Sequence, residues 1–203
     1  MPRILDNILS EINLTIQSNL AYGDQVQFWR EAYLQDKDGT TAPLVNSGGE
    51  NGYRVSWDDK YPLQIYHRVI DSTVESDPNS GYGKYPYINR TWVVRLVGIG
   101  NTKRLASRGH EGNTDIASEV FLTLPAKLSG GEWVTVGDIN TNKLEVMGDE
   151  FDGAPFKNLS LQLICFSIEY EILQKYRCVD QVESVDPFLC QDVIAITANG
   201  SIL

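Results

Sequence analysis

Thr91-Trp92-Val93-Val94-Arg95-Leu96-Val97-Gly98-Ile99 is a near-continuous apolar run rich in β-branched residues. It predicts a central strand covered on both faces, because both rows of side chains must leave water. Gly98-Ile99-Gly100 then reads as a turn. It is not a dinucleotide fingerprint, since Lys103 stands where the third glycine belongs and no helix follows at once. A basic loop is expected from Gly100 to Gly112. Asn113 to Asp115 supply N-cap chemistry for a helix. Ile116, Val120, Phe121 and Leu124 form its apolar face, and Pro125 ends or kinks it.

Upstream, Ile4, Ile8, Ile12, Ile16 and Leu20 recur every fourth residue, with Leu5 and Leu9 beside them. The spacing predicts an amphipathic helix over residues 2–20, with Pro2 in its first turn. Gln25 to Leu34 alternates and reads as a strand with one solvated face. Asp36-Lys37-Asp38-Gly39 is turn chemistry, and Asn46 to Gly52 is a Gly-, Asn- and Ser-rich loop. Leu63, Ile65 and Val69 mark a second strand. Residues 71–90, polar and rich in glycine, proline and tyrosine, predict a long loop of the kind used for function or partner binding.

Downstream, Trp133 to Val136 predicts a short strand, with Lys143 to Met147 as its hairpin partner. The longest strand signal runs from Leu159 to Leu173. Leu159, Leu161, Leu163 and Cys165 occupy one face of it, while Ile164, Phe166, Ile168, Tyr170 and Ile172 occupy the other. The buried phase changes sides near residue 164, which predicts a bulge or a change in what covers the strand. From Gln174 onward neither helical nor strand periodicity is expected, and Asp192 to Thr197 is a short β-prone run.

Composition bounds the function. The 203 residues suit one or two domains, and a chain of this size buries a sizeable core without disulfides or metal. Seventeen basic against twenty-seven acidic side chains leave a net charge of -10, which argues against a nucleic-acid coat. No apolar run is long enough for a membrane span. Asp6 stands where a signal peptide would need its apolar core. Cys165, Cys178 and Cys190 form no close pair and read as free thiols of a reducing compartment. Two histidines and no Cys/His cluster leave little with which to build a zinc site.

Catalytic chemistry has few candidates. No phosphate-binding loop is present, and His110-Glu111 lacks the second histidine of a zinc protease. Asp138, Asn140, Asn142 and Asp149 echo a calcium loop, but Lys143 occupies its glycine position and Asp149 replaces the bidentate glutamate. Asp149, Glu150 and Asp152 read as a solvated loop or a weak calcium site. His67 reads as a structural side chain on a strand. No cofactor and no enzymatic activity are expected. Three sets of residues suggest partners instead. Lys103, Arg104 and Arg108, with His110, form a basic cluster in an acidic chain. Tyr82, Tyr85 and Tyr87 form an aromatic loop suited to a protein interface or to stacking on a sugar. Val193, Ile194 and Ile196 form a run that free in water would invite aggregation, so it should pair with a sheet edge on its own or another subunit.

The expected class is α+β: a mostly antiparallel sheet flanked by an N-terminal helix and a second helix, with long loops. Residues 1–175 form a single domain, and 176–203 form a C-terminal arm or edge strand. In order and pattern the chain resembles the tail terminator and neck proteins of tailed bacteriophages. The residues carrying the resemblance are Ile4 to Leu20, Trp92 to Ile99 followed by Asp115 to Leu124, and Leu159 to Leu173. It covers roughly residues 1–175 and contains no diagnostic motif. It implies a structural virion protein, made in the host cytoplasm, that forms a homo-oligomeric ring joining the head connector to the tail. Portal, adaptor or tail proteins would be its partners, and DNA would pass through without specific binding. The alternatives are a carbohydrate-binding domain using Tyr82, Tyr85 and Tyr87, and a carboxylate-based metal hydrolase.

Overall fold

The computed structural model describes residues 4–37, 40–45, 53–55, 62–77, 87–105, 112–151 and 162–177. Helix α1 (Leu5–Asn19) leads into β1 (Val26–Lys37), β2 (Thr40–Val45) and β3 (Tyr53–Arg54). Then come β4 (Leu63–Ser76), β5 (Tyr87–Asn101), α2 (Asn113–Thr123), β6 (Trp133–Asn140), α3 (Lys143–Glu150) and β7 (Leu163–Arg177). The strands form one seven-stranded sheet in the order β3-β2-β1-β4-β5-β7-β6. Every pairing is antiparallel except that of β1 with β4. The α+β class with an N-terminal helix is as the sequence predicts.

The central run forms β5, paired along its length with β4 and β7. Val94 and Leu96 pack with Ile8, Leu9, Ile12 and Ile16 of α1 and Ile116, Ala117 and Val120 of α2. Val97 and Ile99 point the other way and pack with Val146, Met147 and Phe151 at α3. β7 divides in the same manner: Ile164, Phe166, Ile168, Tyr170 and Ile172 join the first core, Leu163 and Cys165 the second. The phase change near residue 164 is therefore a change of cover. The β5–β7 register runs without a shift.

Several expectations are corrected. Gly98 and Gly100 lie inside β5 rather than in a turn. A Cβ at Gly98 would come within 2.3 Å of the Phe166 ring, and one at Gly100 within 2.1 Å of the Pro62 carbonyl oxygen. Close approach of neighbouring groups explains these glycines. Lys143 to Met147 is helix α3, not a strand; the Asn142 side chain accepts the Glu145 N–H, and Lys, Leu, Glu and Met all favour a helix. Half of residues 71–90 is strand, because β4 runs to Ser76 and β5 begins at Tyr87. The stretch from 36 to 62, which reads in the sequence as another long loop, contains β2 and β3. β7 continues past Leu173 to Arg177, and Tyr176 is buried against Ile88, so the domain reaches beyond 175. Ile4 stands outside the helical stripe as an exposed N-cap. Pro2, Leu159 and Leu161 lie outside the described residues, as does residue 178 onward.

Candidate interaction surface

Two buried polar networks set the shape of the sheet. In β1 one extra residue intervenes between the pairs Phe28–Ile65 and Glu31–His67. At this bulge the Trp29 carbonyl accepts a hydrogen bond from Asn13 Nδ2 of α1 at 2.9 Å. His67 is fully buried and lies between Asn13 Oδ1, at 2.7 Å from Nε2, and the Tyr170 hydroxyl, at 2.8 Å from Nδ1. Because Asn13 already spends its amide on Trp29, Nε2 must carry the proton, and Nδ1 accepts from Tyr170. Burial pushes the imidazole down to about 3, so it stays neutral. This is a brace joining α1, β4 and β7, as the structural reading of His67 expected.

The second network lies on the opposite face. Glu150, fully buried at the end of α3, accepts from the Tyr66 hydroxyl at 3.1 Å and pairs with Arg68 at 3.1 Å. Arg95 reaches Asp149 at 2.8 Å and Glu169 at 2.7 Å. Burial raises the Glu150 carboxyl, and Arg68, Tyr66 and Arg95 oppose that shift. Acidic residues at a helix C-terminus oppose the macrodipole, and here the two arginines compensate for them. Asp149 and Glu150 thus anchor α3 to the sheet instead of forming a solvated loop; Asp152 lies outside the described residues. Among the described residues no cluster of ligating side chains could hold a metal ion. The calcium-like spacing is capping chemistry: Asn140 Oδ1 accepts the Asn142 N–H at 2.8 Å, and Asn142 caps α3.

Beyond the Arg68–Arg95 row, none of the described helices covers this face. Register places Thr73, Thr91, Leu173 and Trp133 in one row, and Asp71, Val93, Glu171 and Thr135 in the next. Trp133 is 54% and Leu173 38% exposed. Lys127 lies over the Trp133 ring at 4.9 Å. Asp71, Glu75 and Glu171 are exposed along the same stretch. Among the described residues the result is a sheet surface that no helix covers, with an apolar centre beside the carboxylates of Asp71, Glu75 and Glu171, and with Lys175 in register with Glu75 through Asn89. No protein-family model matches this chain, and none of the curated proteins matches it either.

The sequence-derived sites fall unevenly about this surface. Lys103 and Arg104 are exposed in a single 3-10 turn after β5, at the opposite end of the sheet, with Arg108 and His110 outside the described residues. Asn101 Oδ1 accepts the Lys103 N–H and shapes that turn. Tyr87 opens β5 half-buried beneath Lys175, which also pairs with Asp77, so one ring face is occupied. Tyr82, Tyr85, Val193, Ile194 and Ile196 lie outside the described residues. Trp133, Leu173, Asp71 and Glu171 were not among the sequence candidates. A strand residue such as Leu173, apolar in the phase opposite to its buried neighbours, was the available signal.

No helix among the described residues is long and apolar enough to cross a membrane.

Proposed function

We propose that this chain is a structural, self-assembling subunit, a ring component of the neck or tail of a tailed bacteriophage that joins the head connector to the tail. The observation that carries the self-assembling part is the part of the sheet that the described helices leave uncovered, where Trp133 of β6 and Leu173 of β7 stand exposed. Exposed aromatic residues in an apolar centre with a polar rim are typical of protein interfaces. The phage assignment rests on the order of elements: an N-terminal amphipathic helix, a long central strand followed by a helix, and a long closing strand.

In this reading the sheet is a rigid wedge, and its loops and surfaces mate with neighbouring subunits. A repeated subunit whose contacts join unlike surfaces closes into a ring when the rotation permits. With -10 per subunit the ring would be acidic overall and would repel passing DNA instead of holding it. The run containing Val193, Ile194 and Ile196 is proposed to dock on another subunit. Concentrated protein imaged by negative-stain electron microscopy is expected to show closed rings. A monomer at every concentration, together with monomeric behaviour in the presence of portal and tail proteins, would overturn the proposal.

A further inference from the structure

We infer that the turn bearing Lys103 and Arg104 on one copy docks against the open acidic face of a second copy, so that subunits join head to tail. The inference rests on the ring reading above and names the two surfaces that would meet.

The first observation is a polarity along one strand. Strand β5 runs from Tyr87 to Asn101, and the exposed cations Lys103 and Arg104 follow at its far end. Asp71 and Glu75 lie opposite Val93 and Asn89 toward the near end, and Glu171 pairs with Val93 from the other side. Among the described residues neither cation has a side-chain partner, and Glu75 and Glu171 have none either. Asp71 makes only a local bond, accepting the Ser72 N–H. The cations nearer this region are already engaged, Arg95 with Asp149 and Glu169, and Lys175, in register with Glu75 through Asn89, with Asp77.

Separation excludes pairing within one molecule. From Val93 or Asn89 to the turn after Asn101 the strand rise gives about 30–40 Å. Screening in physiological salt falls off over about 8 Å. The two unpaired charge groups of one subunit therefore cannot neutralise each other, but each complements the other group on a second copy. The second observation is apolar. Beside Asp71 and Glu171 stand Leu173 and Trp133, whose exposed apolar surface a docking turn would cover; one face of the Trp133 ring already lies under Lys127. Turn and face are unlike surfaces, so the contact is heterologous, the type that generates rings.

The test uses the full chain in two variants, Lys103→Glu/Arg104→Glu and Asp71→Lys/Glu171→Lys. All four positions are exposed, and cooperative thermal unfolding confirms that each variant is folded. Sedimentation velocity in low-salt buffer is expected to show each variant associating at least tenfold more weakly than wild type. An equimolar mixture should recover the wild-type assembly, since every contact between unlike variants is again complementary. Wild-type assembly that persists in both variants, or a mixture that fails to recover it, overturns the inference and leaves the ring reading standing. Wild-type protein that stays monomeric at every concentration overturns the inference, and the same behaviour in the presence of portal and tail proteins overturns the ring reading as well.

Discussion

Replacing His67 with glutamine should change how the protein responds to mild acid. In the folded chain the imidazole is buried, neutral and pushed down to about 3, against 6.5 for an exposed histidine. The unfolded chain therefore takes up a proton below pH 6.5 that the folded chain refuses. Stability from this group is complete above pH 6.5 and is lost as the pH falls toward 3. The loss amounts to about 2 kcal/mol by pH 5 and grows by about 1.4 kcal/mol for each further unit. That is a large share of a typical stability of about 5–15 kcal/mol. In His67→Gln the amide can still donate to Asn13 Oδ1 and accept from the Tyr170 hydroxyl, and it does not titrate. Burial raises the Glu31 and Glu150 carboxyls, so their protonation on acidification acts in the opposite direction. Those contributions are common to both proteins and cancel in the comparison. Urea unfolding followed by circular dichroism between pH 7.5 and 5 should show wild type losing about 2 kcal/mol relative to the variant. Parallel stability curves across that range would refute the assignment of His67 as a buried neutral brace.

Gly98→Ala should destabilise the fold by about 1–3 kcal/mol, because the new methyl meets the Phe166 ring, and Phe166→Leu in the same chain should recover part of that loss in chemical denaturation. Asn113→Ala should cost about 2–4 kcal/mol, since this side chain donates to the carbonyls of Thr141 and Cys165 and accepts the Cys165 N–H; an unchanged denaturation midpoint would contradict that role. Glu150→Ala should cost about 3–5 kcal/mol by taking from Arg68 its carboxylate and from the buried Tyr66 hydroxyl its acceptor, and hydrogen exchange should quicken first at Val146 and Met147 of α3; uniform exchange rates would argue against an anchor there. A chain ending at Arg177 should unfold cooperatively, whereas one ending at Leu173 should melt about 5 °C lower or more, because it loses the pairing with Tyr87 to Arg90 and the contact of Tyr176 with Ile88. Equal melting temperatures would show that those residues contribute nothing to the core.

Sequence by itself determined the elements whose burial follows a local period. Ile8, Leu9, Ile12 and Ile16 repeat at helical spacing and are fully buried on α1. The run from Thr91 to Ile99 has no solvated row, and β5 is covered on both faces over much of its length. The phase change near residue 164 was legible as a bulge or a change of cover on β7, and the structure shows the change of cover. These features are legible because the hydrophobic effect acts on each side chain according to the face it occupies, and that face repeats with the backbone. Tertiary structure decided what depends on partners distant in sequence. Lys143 to Met147 satisfies a short strand pattern as well as a short helix, and Asn142 capping together with the Glu150–Arg68 pair selects the helix. Glycine at 98 and 100 is ambiguous until Phe166 and Pro62 are seen against it. Asn13, polar on an apolar stripe, makes sense only beside the β1 bulge and His67. The open face belongs to the same category. Leu173 and Trp133 are ordinary strand residues in the sequence, and their exposure follows from where α3 ends, because a side chain becomes a surface only when no other layer is placed over it.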